Sequence, residues 1–437
     1  MIFDVNMLDS DVLFRRKARY VAVGHTTETP SVVSRDSVCI ALPIAAFNGI
    51  YVLVCDIQNT YFTAQFCKKI WTVAGPELGS DTGKIFIIKM DLYLMKSPGT
   101  SFHSLLMEKR HDLKYFPSKA DPDVFMRPAV KPNGFEYYEY VLCYVDEILS
   151  ISHCPDVTMD GIRARFTLKD DKIEYPTDYL GAQLCKMKDE FGNDYWTKSS
   201  SKYCKSAIAN VEERLALDGN RLPTKCNTPM ITKYAPDMDV TAKLKSDGIQ
   251  YFQELIDAIR WACEIGRGDI LLETSLLSTH LASPRIGHLE QVFHVFGYLK
   301  DSSKRKLGFD PGHPKIDINR FHKFDWQDFY KGVKEAIPQN MPKPRGNSVS
   351  THFFVYANNA GNKLTRRSQT GILIFFNKDP IIEFSKRQKN VETSTFGNEF
   401  TALKNAIEIV KSLRYKLHMF GVPIEGTTNV LYDNGLV

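Results

Sequence analysis

The chain has 437 residues, more than one hydrophobic core usually supports, so we expect at least two domains. Hydrophobic residues make up 43% of the chain and charged residues 24%, a composition typical of globular proteins. The net charge of +5 permits a polyanionic partner but does not require one.

Three features bear on the cellular setting. The longest apolar stretch, "VCIALPIAAF", is too short to span a bilayer and contains Pro43. The N-terminus, "MIFDVNMLDSD", is acidic and lacks the apolar segment of a signal peptide. None of the nine cysteines forms a CxxC pair or has zinc-ligand spacing, which indicates reduced thiols in an intracellular protein.

The first segment, roughly residues 1–190, is predicted to be mixed α/β. "RYVAVG" indicates a strand, and "SVCIALPIAAFNG" a buried helix that Gly49 ends. "IYVLVCDI" and residues 137–151, "YYEYVLCYVDEILSI", are rich in strand-forming residues. Between them, "GPELGSDTGKI" lacks P-loop spacing and has Ile85 where Ser or Thr would bind Mg²⁺, so we expect a surface loop there.

The later part begins with helices and ends in a compact pattern of strands. "ELIDAIRWACEIG" and "RIGHLEQVFHVFGYLKD" have helical periodicity, and a proline-containing linker is predicted to end near Ser350. "THFFVYA", "GILIFFN", "IIEFS" and "TNVLYDNGLV" predict strands, and the chain ends four residues after Asp433, as if truncated. A long helix precedes the last strand. Its expected buried face consists of Phe400, Leu403, Ile407, Val410, Leu413 and Leu417.

Two acids stand where an apolar strand meets a turn. Asp56 ends "YVLVCD", and Asp146, followed by Glu147, interrupts "VLCYVDEIL". Because strand side chains alternate between faces, a tight hairpin around residues 145–147 would expose the carboxylates at one sheet edge, where Asp56 could join them. Clustered carboxylates suit divalent metals in phosphoryl transfer. Spacing alone favours the plainer interpretation of a charged hairpin tip in solvent.

Segments in consistent order along nearly the whole chain resemble the copia-type LTR retrotransposon polyprotein. "YVDE" is similar to the YVDD box of reverse transcriptases, and "CDIQNTYFTA" to their first catalytic strand. Each segment alone is weakly specific, but so many in one order are a strong signal. The other similar segments are "RRKARYVAVGHTTETP", "LYLMKSPGTSF", "SKADPDVF", "YLGAQL", "HLASPRIGHLEQVFHVFGYLK", "AGNKLTRRSQTG", "SKRQKNVETSTFGNEFTAL" and "LYDN".

The resemblance implies an α/β (α+β) fold with a right-hand polymerase palm and fingers, a helical connection and an incomplete RNase H-like domain. Residues 1–230 would form N-terminally truncated fingers and palm of a reverse transcriptase. Residues 231–347 would form a thumb- or connection-like helical region with a linker, and residues 348–437 a C-terminally truncated RNase H-like domain.

The implied activity is RNA-directed DNA polymerase, a nucleotidyltransferase. It would use Mg²⁺ or Mn²⁺ with an RNA template, a DNA primer and dNTPs. Members of the family work in cytoplasmic particles or the nucleus, so an intracellular location without membrane is implied.

The resemblance also implies residue roles. Asp56 and Asp146 would ligate two Mg²⁺ ions, with Glu147 in the place of the third acid. Lys169 in "FTLKDD" is a candidate proton donor to pyrophosphate. Nucleotide-binding roles would fall to Lys17, Arg19, Tyr61, Tyr93 and Lys96.

These nucleotide-binding roles differ in kind. Lys17 and Arg19 would hold the triphosphate, although "RRKAR" is equally explained as a solvated basic strand. Tyr61 would lie under the incoming sugar, or else be a core tyrosine. Tyr93 and Lys96 belong to the segment that backs the nucleotide pocket.

The chain departs from the family pattern at its polymerase residues. Glu147 replaces the usual Asp, and its extra methylene extends the carboxylate by about 1.5 Å. Leu94 replaces a Gly that lets the backbone pass close to the nucleotide. We therefore expect a decayed copy, and the alternative is a catalytically inert nucleic-acid-binding remnant.

The RNase H-like part departs further. Tyr356 and Asn358 occupy two Asp positions, whereas Glu399 and Asp433 match the second and third acids. The fourth acid would lie beyond Val437. Since two carboxylates cannot assemble the usual metal site, we expect no RNase H activity.

Overall fold

The structure is a computed structural model. The chain forms two compact units. One contains Met1–Val38 with Tyr51–Tyr175, and the other Cys39–Ile50 with Pro176–Val437. The described residues are 2–7, 14–19, 33–58, 65–90, 114–144, 146–164, 166–188, 192, 194–310, 312, 314 and 330–432.

The first unit is built on a five-stranded antiparallel sheet with two separate hairpins. The sheet order is β3-β9-β8-β7-β6, while β1 pairs with β2 and β4 with β5. Its strands are β1 (Ile2–Met7), β2 (Phe14–Arg19), β3 (Tyr51–Asp56), β4 (Gln65–Val73), β5 (Ile85–Met90), β6 (Phe116–Pro117), β7 (Val124–Val130), β8 (Glu136–Tyr144) and β9 (Glu147–Ser152).

The apolar runs of the sequence explain this sheet. In β8 every residue from position 137 to 143 is buried, which accounts for the continuous run of aromatic and apolar residues. Helix α2 (Pro155–Arg163) packs against β3 and β9, burying Met159 and Ile162 over Ile148. The strands predicted at "IYVLVCDI" and residues 137–151 are therefore confirmed.

Helix α1 (Arg35–Phe47) begins at a buried polar cluster. The Asp121 Oδ2 atom accepts hydrogen bonds from the Ser34 amide at 2.9 Å and the Ser37 hydroxyl at 2.6 Å. Gly49 follows the helix with φ 56°, a left-handed conformation that favours glycine. The predicted buried helix ended by Gly49 is confirmed.

The second unit begins with a four-stranded antiparallel sheet and a helical cluster. The sheet order is β10-β11-β12-β13, and Phe252, Ile259, Val292 and Phe296 form the centre of the helical core. Both predicted helices are confirmed. The elements are β10 (Asp178–Tyr179), β11 (Ala182–Lys188), β12 (Asp194–Ser199), α3 (Ser201–Leu217), α4 (Ser246–Glu264), α5 (Leu271–Leu277), α6 (Ile286–Asp301) and β13 (Leu307–Phe309).

A second four-stranded sheet with one long helix ends the described chain. Its order is β16-β15-β14-β17, in which β14 pairs antiparallel with β15 and parallel with β17. The helix packs against β14 and β15. The elements are β14 (Thr351–Ala357), β15 (Gln369–Phe376), β16 (Asp379–Arg387), α7 (Thr395–Met419) and β17 (Asn429–Leu431). Helices and antiparallel sheets together confirm the α+β class.

The predicted buried face of α7 is wrong in part. Phe400 is 55% exposed and Ile407 39% exposed, whereas Ala402 and Ala406 are fully buried. The buried stripe is set by which side of the helix meets the sheet, and small alanines allow close approach there. Val410, Leu413 and Leu417 are buried as expected.

Other expectations have mixed outcomes. The loop "GPELGSDTGKI" does join β4 to β5, as expected, and contains one 3-10 turn at Pro76–Asp81. The strand expected at "RYVAVG" lies, beyond Arg19, outside the described residues. Among the described residues, no helix combines the length and apolar content needed to cross a bilayer.

The observed buried face of α7 predicts that a change at Ala406 destabilises the protein more than a change at Ile407 does. Ala406→Leu should lower the free energy of unfolding by about 1–3 kcal/mol, because the larger side chain overpacks a fully buried position. Ile407→Ala should change it by less than about 0.5 kcal/mol. Urea denaturation of the full chain measures both, and a larger loss for Ile407→Ala would support the face expected from sequence instead.

Candidate active site at the edge of the first sheet

The acidic residues predicted at the hairpin do meet the end of β3. Asp56 lies directly opposite Glu147 in the antiparallel pairing of β3 with β9. The Ile57 amide donates to the Asp146 carbonyl at 2.8 Å, so the next pair along is hydrogen-bonded. The Asp56–Glu147 pair is therefore of the non-hydrogen-bonded type, in which facing side chains lie closest.

Asp146 occupies the turn between β8 and β9. Tyr144 pairs with Glu147 across the hairpin, and Val145 lies outside the described residues. The predicted tight hairpin at residues 145–147 is confirmed. Asp56, Asp146 and Glu147 are all half-buried.

A lysine supplies the positive charge at this edge. The Lys169 ammonium forms an ion pair with Asp56, with 2.7 Å between Nζ and Oδ2. That hydrogen bond raises the pKa of Lys169, burial opposes the rise, and the charges of Asp56, Asp146 and Asp170 add to it. The ammonium therefore stays protonated at neutral pH and is influenced by both Asp56 and Asp146.

The chain after α2 brings Lys169 to this position. The amide of Val54 donates to the Glu174 carbonyl and the amide of Gln58 to the Thr167 carbonyl, both at 2.9 Å. The segment thus runs along the open edge of β3. Asp170, with φ 55°, forms a turn immediately after the lysine.

The thiols beneath the site do not serve as nucleophiles. Burial, with a smaller effect of the Asp56 charge and opposition from Arg163, raises the pKa of Cys55 to about 12. Burial also raises the pKa of Cys143 well above its ordinary value. Since the reactive form of cysteine is the thiolate, both behave as core residues.

The site fits a cation, although its acids do not form a complete metal cage. Within the described ranges, no group of three or more His, Cys, Asp or Glu side chains is arranged to hold a metal ion. The ammonium on Asp56 nonetheless shows that this carboxylate accepts a positive charge at 2.7 Å. Carboxylate oxygens are the ligands that Mg²⁺ prefers.

The residues that the resemblance relates to RNase H acids do not lie together, since Glu399 and Tyr356 are on opposite sides of β14. Glu399 is buried, and its Oε2 accepts a hydrogen bond from the Ala357 amide at 3.1 Å. Tyr356 is 53% exposed, on the face of β14 opposite to Ala357. The Asn358 Oδ1 atom accepts from the Gln369 amide at 2.6 Å. Asp433 lies outside the described residues.

Most of the expected nucleotide-binding residues lie outside the part of the chain that the structure describes. Tyr61, Tyr93, Leu94 and Lys96 lie outside the described residues. Lys17 and Arg19 lie in β2, where their backbones pair with Asp4 and Ile2, and their side chains are not described.

Sequence reasoning missed a buried charge in the same sheet. Glu139 in β8 lies opposite Arg127 in β7 and forms an ion pair with it. Its carboxylate also accepts hydrogen bonds from Tyr115 at 3.4 Å and Tyr137 at 3.3 Å. The lone acid within "YYEYV" was the available signal, because a buried acid requires a partner.

The chain is 22% identical over 437 residues to the retrovirus-related Pol polyprotein from transposon RE1 of Arabidopsis thaliana, covering 97% of this chain and 26% of that protein. It is 21% identical over 448 aligned positions to the corresponding RE2 polyprotein, covering 99% of this chain and 27% of that protein. No family model matches.

The chain resembles retrotransposon Pol polyproteins. The resemblance to this class, predicted from the motifs, is thereby confirmed. The chain spans about a quarter of the length of the curated relatives it matches.

Removal of the Lys169 charge should strengthen cation binding at Asp56. The ammonium occupies Oδ2 and repels an incoming cation, so Lys169→Met should tighten Mn²⁺ binding roughly two- to fivefold, the range expected for a partly exposed ion pair. Electron paramagnetic resonance titration of the full chain measures free Mn²⁺. Lys172→Met, at an exposed position close by, is the matched control, and equal affinities for the two variants would contradict the prediction.

Proposed function

We propose that the chain carries the RNA-directed DNA polymerase (reverse transcriptase) region of a copia-type retrotransposon Pol polyprotein. The observation that carries this proposal is the meeting of Asp56, Asp146 and Glu147 at one sheet edge, with Lys169 beside them. Similarity to two retrotransposon Pol polyproteins over nearly the whole chain supports it.

The proposed reaction is nucleotidyl transfer from a dNTP to a DNA primer on an RNA template. Asp56 and Asp146, with Glu147, would hold Mg²⁺ or Mn²⁺; when bound, such ions stabilise the attacking and leaving oxygens. Lys169, kept protonated by Asp56, would donate a proton to the departing pyrophosphate.

The remaining nucleotide-binding roles rest on the sequence resemblance. Lys17 and Arg19 would bind the triphosphate through charge-assisted hydrogen bonds. Tyr61 would lie under the sugar, and Tyr93 and Lys96 would support the nucleotide pocket.

The proposed domains correspond to separate groups of elements in the structure. The β3-β9-β8 core with α2 would be the polymerase palm within residues 1–230, and the helices from α4 to α6 the connection within residues 231–347. The sheet β16-β15-β14-β17, in which β17 is parallel to β14, would be the RNase H-like domain of residues 348–437.

We further propose that this copy is a weakened polymerase. The carboxylate of Glu147 lies one methylene further from the backbone of β9 than that of Asp would. Catalytic constellations require positions within about 0.5 Å, so the longer side chain disturbs the constellation. Leu94 would add a second disturbance near the nucleotide.

A second candidate, an inert nucleic-acid-binding remnant, is favoured by a basic cleft. This cleft of about 510 Å³ lies between β16 and α7. Three cations, Lys386, Arg387 and Lys389, line it together with one acid, Glu408, which pairs with Lys411. None of the three forms an ion pair with a carboxylate of the described chain. Phosphate contacts need only such cations, so binding would survive the loss of polymerase activity.

Primer extension on an RNA template tests the polymerase proposal. The Glu147→Asp/Leu94→Gly double variant should extend a primer about 100-fold faster than the native chain, because displacement of about 1 Å has that cost. Asp56→Asn should abolish extension. Hybrid binding, measured in parallel, separates catalysis from binding.

Each outcome of this assay discriminates between the proposals. Equal extension by the native chain and the double variant would contradict the weakened-copy proposal. If neither extends a primer while both bind a hybrid, and Lys386→Glu/Lys389→Glu weakens that binding, the inert remnant is supported. Absence of both activities would contradict both candidates.

Loss of acids from β14 predicts no RNase H activity. An RNA–DNA hybrid incubated with the chain and Mg²⁺ should stay intact, because Asn358 supplies no carboxylate and Tyr356, which also lacks one, lies on the face of β14 opposite to Glu399. Gel analysis of labelled RNA measures cleavage, and Glu399→Gln is the control. Fragments from the native chain that are absent with Glu399→Gln would disprove the prediction.

A further inference from the structure

An unassigned cavity lies above the C-terminal sheet of the second unit. Its volume is about 770 Å³, within the range of roughly 300–1,000 Å³ found for small-molecule sites. The floor is the face of β14, β15 and β16 that α7 does not cover. The opposite wall is formed by Gly268, Asp269, Leu271 and Leu272, at the beginning of α5, which packs against β16.

The floor of the cavity has a narrow slot above Gly371, between the strands on either side of it. Ser385, Gly371 and Tyr356 face one another across three neighbouring strands. A Cβ atom on Gly371 would meet nothing closer than the Tyr356 carbonyl oxygen at 4.0 Å, so the space above this glycine is open. Two strand spacings separate the outer residues by about 10 Å, which accommodates a flat ring.

A second set of cross-strand partners places the acid Glu383 beside this slot. Glu383, Leu373 and Phe354 pair across the same three strands, two residues along from the first row. Leu272 lies opposite them, 46% exposed, and Phe354 is 43% exposed. The walls are therefore largely apolar and aromatic, with the Glu383 carboxylate among them.

The Glu383 carboxylate is one of the two acids that line the cavity. Among the described residues, no Lys, Arg or His lies within ion-pairing distance of it. Burial raises the pKa of Glu383; the Asp269 charge adds to this rise and Lys198 opposes it. A Cβ atom on Gly268 would lie 1.4 Å from Oε2, so the glycine is what admits the carboxylate here.

The other acid of the cavity is already neutralised. Asp269 forms ion pairs with Arg267 at 2.8 Å and Arg305 at 2.9 Å, and it accepts a hydrogen bond from the Tyr298 hydroxyl at 2.9 Å. Of the two acids, Glu383 is thus the one that forms no ion pair with any described residue. An unpaired carboxylate in such surroundings costs free energy that a bound cation would offset.

We propose that this cavity binds a planar organic cation, whose charged group pairs with Glu383 and whose ring lies over Gly371 beside Tyr356. An amidinium donates two parallel hydrogen bonds to a carboxylate. Aromatic faces such as those of Tyr356 and Phe354 also attract cations. All these residues belong to the second unit, so the inference does not depend on the polymerase proposal.

Three isosteric probes test the inference on the full chain. Benzamidine, benzamide and benzoate share one flat ring and differ in charge, and isothermal titration calorimetry measures their affinities. Benzamidine should bind at least about tenfold more tightly than benzamide, as a charged hydrogen-bonded pair predicts, and benzoate most weakly. Equal binding of benzamidine and benzamide would overturn the proposal.

Two variants locate the site, and one serves as the control. Glu383→Gln should remove the preference for benzamidine, while Gly371→Val, a strand-compatible change, should fill the slot and weaken all ring binding. Glu213→Gln, at an exposed position on α3, should leave every affinity unchanged. If benzamidine binds Glu383→Gln or Gly371→Val as tightly as the native chain, the proposal is wrong. Circular dichroism confirms that each variant is folded.

Discussion

The antiparallel pairing of β3 with β9 is the constraint on which the acidic site depends. It places Asp56 opposite Glu147 and joins Ile57 to Asp146. Because side chains alternate along a strand, a slip by one residue would put Asp56 on the face away from its partner. Helix α2 opposes such a slip, because its Met159 and Ile162 pack over Ile148 of β9.

Electrostatics at this edge follow from the pairing. Half-buried carboxylates brought together repel one another and lose hydration, so an opposite charge is needed nearby. The segment along β3 supplies it as Lys169. The Lys169 side chain is 62% exposed, so this ion pair lies at the protein surface.

The two faces of β14 have separate chemistry. One face packs against α7, where Glu399 remains beside the Ala357 amide. The other carries Tyr356 and opens into the cavity that holds Glu383. Tyr356 therefore gives this cavity an aromatic wall and does not face Glu399.

The sequence by itself determined the strands, the main helices, the hairpin at residues 145–147 and the resemblance to retrotransposon polyproteins. These depend on local periodicity, on turn chemistry and on motif order, which neighbouring residues encode. Tertiary structure alone decided that Lys169 meets Asp56, that Glu139 meets Arg127 and that α7 buries alanines. It also decided that Glu383 lines a cavity without an ion-pair partner among the described residues. Each of these depends on which elements become neighbours in the fold. Contacts between residues far apart in the sequence cannot be read from local periodicity.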